Sequence, residues 1–71
     1  MNNQLLDEKV KENGRKYNFI ARQIGITEFG LIKKRKGIIP WKINEINTIT
    51  ELLNLTEDER DDIFGLKGTQ K

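Results

Sequence analysis

One small all-α domain of five short helices is what this chain predicts, and three observations lead there. Apolar residues recur at three- and four-residue steps, Gly14, Gly25, Gly37 and Gly65 close four of the resulting runs, and no segment carries the alternation of a strand. With 71 residues, 35% of them hydrophobic and 34% charged, there is material for a single core and none for a large enzyme cleft. No internal repeat and no long linker divides the chain.

The first helix is expected over about residues 3–13. Leu6 and Val10 stand four apart, Leu5 widens the stripe, Asp7 and Glu8 suit the positive helix start, and Asn13-Gly14 stops the run. A second helix, 17–24, places Ile20, Ala21 and Ile24 on one face, and Gly25 supplies the left-handed residue just past its end. Thr27 then caps a third helix, 28–36, whose inward contact is Leu31 and whose carboxyl end holds Lys34, Arg35 and Lys36 before Gly37. Pro40 restrains Ile39 to extended geometry and offers no N–H, so Ile38-Ile39-Pro40-Trp41 is a loop.

Ile43, Ile46, Ile49, Leu52 and Leu53 give the clearest amphipathic pattern, a fourth helix over about 42–54 that should centre the core. Thr56 with Glu59 three residues later is a capping-box pair. It opens a short fifth helix that buries Ile63 and Phe64 and ends at Gly65. The expected domain is 1–65, followed by a frayed tail, 66–71.

Composition removes several kinds of chemistry. With neither Cys nor His there are no disulfides, no thiolate or imidazole metal sites, and no histidine base. Glu57, Asp58, Glu59, Asp61 and Asp62 lack the spacing and the glycine of a calcium loop and read as a solvated helix start. The expectation is a protein that is not an enzyme, with no metal, no cofactor and no small-molecule substrate. No apolar run reaches the roughly 18 residues of a membrane span. The first residues lack the basic start and apolar stretch of a signal peptide, so a cytosolic protein is expected.

Charge is segregated along the chain. Residues 15–42 carry eight Lys and Arg against Glu28 alone, a net +7, while 1–14 are close to neutral at −1 and 43–71 are acidic at −4. A basic centre on a small helical domain suits a phosphate-facing surface, and it equally serves as an ordinary solvated face.

The second and third helices are joined by a turn so short that their axes must cross. Small Ala21 lets them approach, Ile20, Ile24, Ile26 and Leu31 fill the crevice, and Gly25 permits the turn, which is helix-turn-helix spacing over about 17–37. The segment YNFIARQIGITEFGLIKKRKG, Tyr17 to Gly37, resembles the helix-turn-helix of small Cro-like and repressor-like proteins of temperate phages of Gram-positive bacteria. The first helix with its Glu12-Asn13-Gly14 stop, the segment EINTITELLNLTEDERDDIF and the overall length are also similar to that family. The resemblance implies a role in the lytic/lysogenic switch of a phage, inside the host bacterium. Some members of the family bind operator DNA; others, modulators of repression or antirepressors, bind the lysogenic repressor.

Carried over by position, the resemblance makes Ala21, Gly25 and Leu31 structural, and it turns Thr27, Glu28, Phe29, Gly30, Ile32 and Lys33 towards the partner. Lys34 and Lys36 extend that set, with Arg15, Lys16 and Arg22 as secondary basic contacts. Base reading favours Arg, Lys, Asn and Gln, and only Lys33 and Thr27 fit that role well. Glu28 opposes phosphate unless it accepts from a cytosine amino group, Gly30 reads nothing, and Phe29 and Ile32 offer apolar contact alone, either to thymine methyls or to a protein. The same two residues, with Ile38, Ile39 and Trp41, can also be read as core, and Trp41 leans that way.

Two partners are therefore expected in order. The first is the phage repressor's N-terminal DNA-binding domain, kept from its operator by an antirepressor. The second is operator DNA, bound directly through the third helix by a Cro-like dimer, or bound together with the repressor.

Overall fold

A computed structural model of the protein describes residues 1–66 and contains five α-helices: α1 (Asn3–Glu12), α2 (Tyr17–Ile24), α3 (Glu28–Arg35), α4 (Ile43–Leu52) and α5 (Glu57–Phe64). Among the described residues there is no strand, and no helix is long and apolar enough to cross a membrane. Such short helices are unstable alone, and tertiary contacts hold them. α2 packs on α3 and on α4, and α5 packs on α1 and on α4.

The core follows the apolar spacing. Leu6 and Val10 of α1, Ile20 of α2, Ile49 of α4 and Ile63 of α5 meet with Leu53 and Leu55 in one buried cluster. Ala21, Leu31 and Ile46 are buried too. Trp41 lies half-buried against this cluster and meets the Phe64 ring edge-on, with centroids 5.1 Å apart. Its indole N–H points at the Met1 sulfur, 3.2 Å away.

The helix ends explain how the chain turns. Gly25 adopts φ +80, so the N–H of Ile26 reaches back to the Ala21 carbonyl at 3.0 Å and closes α2 in a left-handed stop. Gly65 does the same for α5, where the Leu66 N–H meets the Asp61 carbonyl at 2.8 Å. Leu66 is thus tied to the fold; the rest of the expected tail, 67–71, lies outside the described residues.

Thr56 and Glu59 form the expected reciprocal cap of α5. At the other end of the chain, Asn2 caps α1 with its side chain, and its N–H donates to the Ile63 carbonyl at 2.9 Å, fastening α1 to α5. Asn13 closes α1, and its amide also donates to the Leu53 carbonyl at 3.0 Å, tying that end to α4.

Several expectations are corrected. Because Asn2 starts α1, Asp7 and Glu8 fall beyond its first turn, and Asp7 instead accepts from Tyr17 and Arg35. Lys42 caps α4 rather than lying inside it, and the helix stops at Leu52. Ile43 was expected in the core stripe but is 69% exposed. As the first residue of α4 it precedes the turn that Ile46 begins to bury, and the inward position there goes to Glu45.

Candidate partner-binding surface

The loop from Gly25 to Thr27 sets α3 across α2. Thr27 Oγ1 accepts the Gly30 N–H at 3.0 Å, so Thr27 caps the third helix as expected, and it stays exposed. A Cβ built on Gly30 would stand 3.3 Å from that same oxygen, so a larger residue here would crowd the cap. Glu28 is exposed in the first turn, where the helix dipole favours its charge.

Leu31 is the inward contact of α3, as its spacing requires, and it leaves two large apolar side chains facing out. Phe29 is 66% exposed and Ile32 is 44% exposed. They stand three residues apart on one helix face and therefore adjoin. Lys33 is half-buried, with its ammonium 4.5 Å from the centre of the Phe29 ring. That cation–π contact spreads the Lys33 side chain over the aromatic face. Lys36 caps the carboxyl end of α3 and is exposed.

Lys34 overturns an expectation. It was placed among the outward cations of α3, yet it is 6% exposed. Its ammonium donates to Glu45 Oε1 at 2.8 Å and to the Pro40 carbonyl at 3.2 Å, and it stands 5.9 Å from the centre of the Trp41 ring. The physical reason is its place three residues after Leu31, on the inward stripe of the helix, where an unpaired charge is intolerable. Burial pushes the Glu45 carboxyl up, but the Lys34 ammonium and the Lys42 N–H, 2.9 Å away, outweigh it and hold the group below the usual range.

Arg15, Lys16 and Arg22 are all exposed. Arg15 stacks on Phe19 at 4.9 Å, Lys16 is the cap residue of α2, and Arg22 sits in the last turn of that helix. None of the three forms an ion pair among the described residues.

Sequence reasoning missed Arg35. Its guanidinium lies 4.0 Å over the Tyr17 ring, donates to Asp7 Oδ1 at 2.7 Å and to Asn3 Oδ1 at 3.3 Å, and so clamps α3 to α1 and to the start of α2. The Asn3 amide returns a bond to the Arg35 carbonyl at 2.9 Å. Burial first, and then its hydrogen bond to Asp7, pushes the Tyr17 phenol up from its usual value, so it remains a donor. No local signal in the sequence pairs Arg35 with Asp7, 28 residues away.

The outward face of α3 is thus an aromatic and an aliphatic group, one acid at the amino end, and cations at the carboxyl end. No cluster of acidic groups that could hold a metal ion occurs among the described residues. No family model matches the chain, and no curated protein or solved structure matches it either.

Proposed function

We propose that α2 and α3 form a helix-turn-helix whose recognition helix serves protein contact: the chain is an antirepressor of a phage lytic/lysogenic switch. In this reading it docks on the DNA-binding domain of the lysogenic repressor and blocks operator binding. The observation that carries it is the outward placement of Phe29 and Ile32, side by side on α3. Exposed aromatic and aliphatic groups on a small domain mark binding surfaces, and a central aromatic ringed by polar groups is the usual anatomy of an interface hot spot.

The electrostatics support the same reading. Lys34 is consumed inside the fold and Arg35 is paired with Asp7, so two of the cations that a groove reader needs are withdrawn. Glu28 stands where a phosphate or base edge would be met and repels the first. A repressor domain built to attract phosphate offers Arg and Lys, with which Glu28 forms charge-assisted hydrogen bonds.

Direct operator binding by a Cro-like protein is the second reading. Lys16, Arg22 and Lys36, exposed and without ion pairs among the described residues, favour it.

Calorimetric titration of the protein into the N-terminal domain of the repressor encoded by the same genome tests the first reading. It predicts saturable binding that survives a rise in salt, because apolar contact carries it. Absence of heat and of any complex in size-exclusion chromatography contradicts it.

A further inference from the structure

Two shallow clefts adjoin α3, one beside Tyr17 and the other beside Asn3. One, of about 200 Å³, is lined by Tyr17, Glu28, Leu31, Ile32 and Arg35. The other, of about 250 Å³, is lined by Asn3, Ile32, Arg35 and Lys36. They share Ile32 and Arg35 and so adjoin along the helix as two halves of one groove. Each is smaller than the roughly 300–1,000 Å³ of a small-molecule site, and each has room for a protein side chain.

The helical repeat explains the groove. Glu28, Leu31, Ile32 and Arg35 follow the i, i+3, i+4, i+7 spacing of one stripe, and Phe29, Ile32, Lys33 and Lys36 follow the same spacing on the neighbouring stripe. Ile32 belongs to both, so the groove is continuous with the exposed Phe29 surface. Its walls are held before any partner arrives: Arg35 is fixed by Asp7, Asn3 and the Tyr17 ring. A prearranged wall keeps down the ordering cost of binding.

The two ends of the groove carry opposite charges. Glu28 and Lys36 are exposed, and neither forms an ion pair among the described residues. They are eight residues apart, about 12 Å along the helix. Between them Ile32 presents apolar surface, with the half-buried Tyr17 beside it and Leu31 beneath. An occupant that fits has a cation at one end, an apolar side chain in the middle and a carboxylate or other acceptor at the other end.

We infer that this groove is the anchor site for one amphipathic segment of the repressor's DNA-binding domain, which seats an aliphatic or aromatic side chain between Tyr17 and Ile32. An Arg or Lys of the segment pairs with Glu28, and an acidic group pairs with Lys36. The inference rests on the antirepressor reading and deepens it: Phe29 supplies this chain's knob, and the groove supplies the hole for the partner's. The orientation follows from charge alone, since the reversed segment would set cation against Lys36 and acid against Glu28.

Nuclear magnetic resonance with the ¹⁵N-labelled full chain and the repressor's N-terminal domain as probe tests it, together with affinities of Ile32→Ala, Glu28→Arg and Lys36→Glu. All three positions are exposed, circular dichroism checks that each variant is folded, and Lys11→Glu, on the exposed side of α1, is the control. Expected are shifts that converge on Tyr17, Glu28, Ile32 and Lys36, with affinity about tenfold weaker for each groove variant and unchanged for the control. Wild-type binding with shifts confined to Ile38, Ile39 and Ile43, and with all three variants binding normally, overturns the groove while leaving the antirepressor reading standing. No wild-type binding overturns both.

Discussion

Lys34 and Glu45 form a buried ion pair, 2.8 Å between Nζ and Oε1, that bolts the third helix to the start of the fourth. The pair fixes α3 on the side opposite its outward face, which carries Phe29 and Ile32. Removing one member strands the other charge in a desolvated place.

Lys34→Ala should cost about 3–5 kcal/mol, the usual penalty for breaking a buried pair. A core of this size rarely supplies more than about 5 kcal/mol, so the variant should be largely unfolded at 25 °C. Replacing both members, as in Lys34→Met with Glu45→Leu, should recover most of the loss, since the pair's own net contribution is small. Urea unfolding followed by circular dichroism checks the order: wild type and double variant similar, single variant far below. A single variant as stable as wild type would show that the pair is not desolvated.

Acid should weaken the fold through two carboxyls. Glu45 is held low against its burial by Lys34 and the Lys42 N–H; Glu59 is held low by Lys9 at 2.8 Å and by the Thr56 N–H. Their folded values lie below the ordinary 4.5, so as pH falls the unfolded chain takes up protons first. The stability they contribute is complete above 4.5 and is lost as pH drops through the folded values. The urea midpoint should therefore fall between about pH 6 and about pH 3. Glu59→Gln should show a shallower fall, and an unchanged slope in that variant would remove Glu59 from the account.

How far the residues foretold this fold depends on what each signal reports. Four glycines, the Thr27 and Thr56 caps and the Ile46–Ile49–Leu53 spacing act locally, so helix number and most boundaries could be read directly. Partners across the fold could not. Lys34 looks like any cation in a run of four basic residues, and Glu45 like any acid at a helix start, until α3 and α4 are seen to meet. Ile43 misled for the converse reason, since a run of isoleucines at helical spacing does not reveal where burial begins. At the candidate surface, the apolar nature of Phe29 and Ile32 was plain from sequence, but whether they faced in or out depended on Leu31 taking the inward position. The groove beside Tyr17 needs Arg35 to reach Asp7 and Asn3, a contact between residues about thirty apart in the chain.

Ile49 and Ile43 should respond in opposite ways to substitution. Ile49→Ala removes a side chain that is 1% exposed and should cost about 2–5 kcal/mol. Ile43→Glu places an acid at the exposed first position of α4 and should leave stability within about 0.5 kcal/mol of wild type or slightly above it. Thermal melts of the two variants decide the matter, and a large loss for Ile43→Glu would mean that this side chain is covered in solution.

Phe29→Ala separates interface from core. With two thirds of the residue already exposed, stability should change by less than about 0.5 kcal/mol. Affinity for the repressor's N-terminal domain should fall by about 2 kcal/mol or more, roughly thirtyfold. Loss of stability without loss of affinity would make Phe29 a structural residue.

In the antirepressor reading the outward face of α3 meets protein rather than DNA. A gel shift of operator fragments from the same genome, with the protein alone and with the cognate repressor, at two salt concentrations, separates the two. The protein alone should shift nothing and should abolish the shift made by the repressor. A shift by the protein alone that weakens steeply with salt, as counterion release demands, would contradict that reading and make α3 a groove reader.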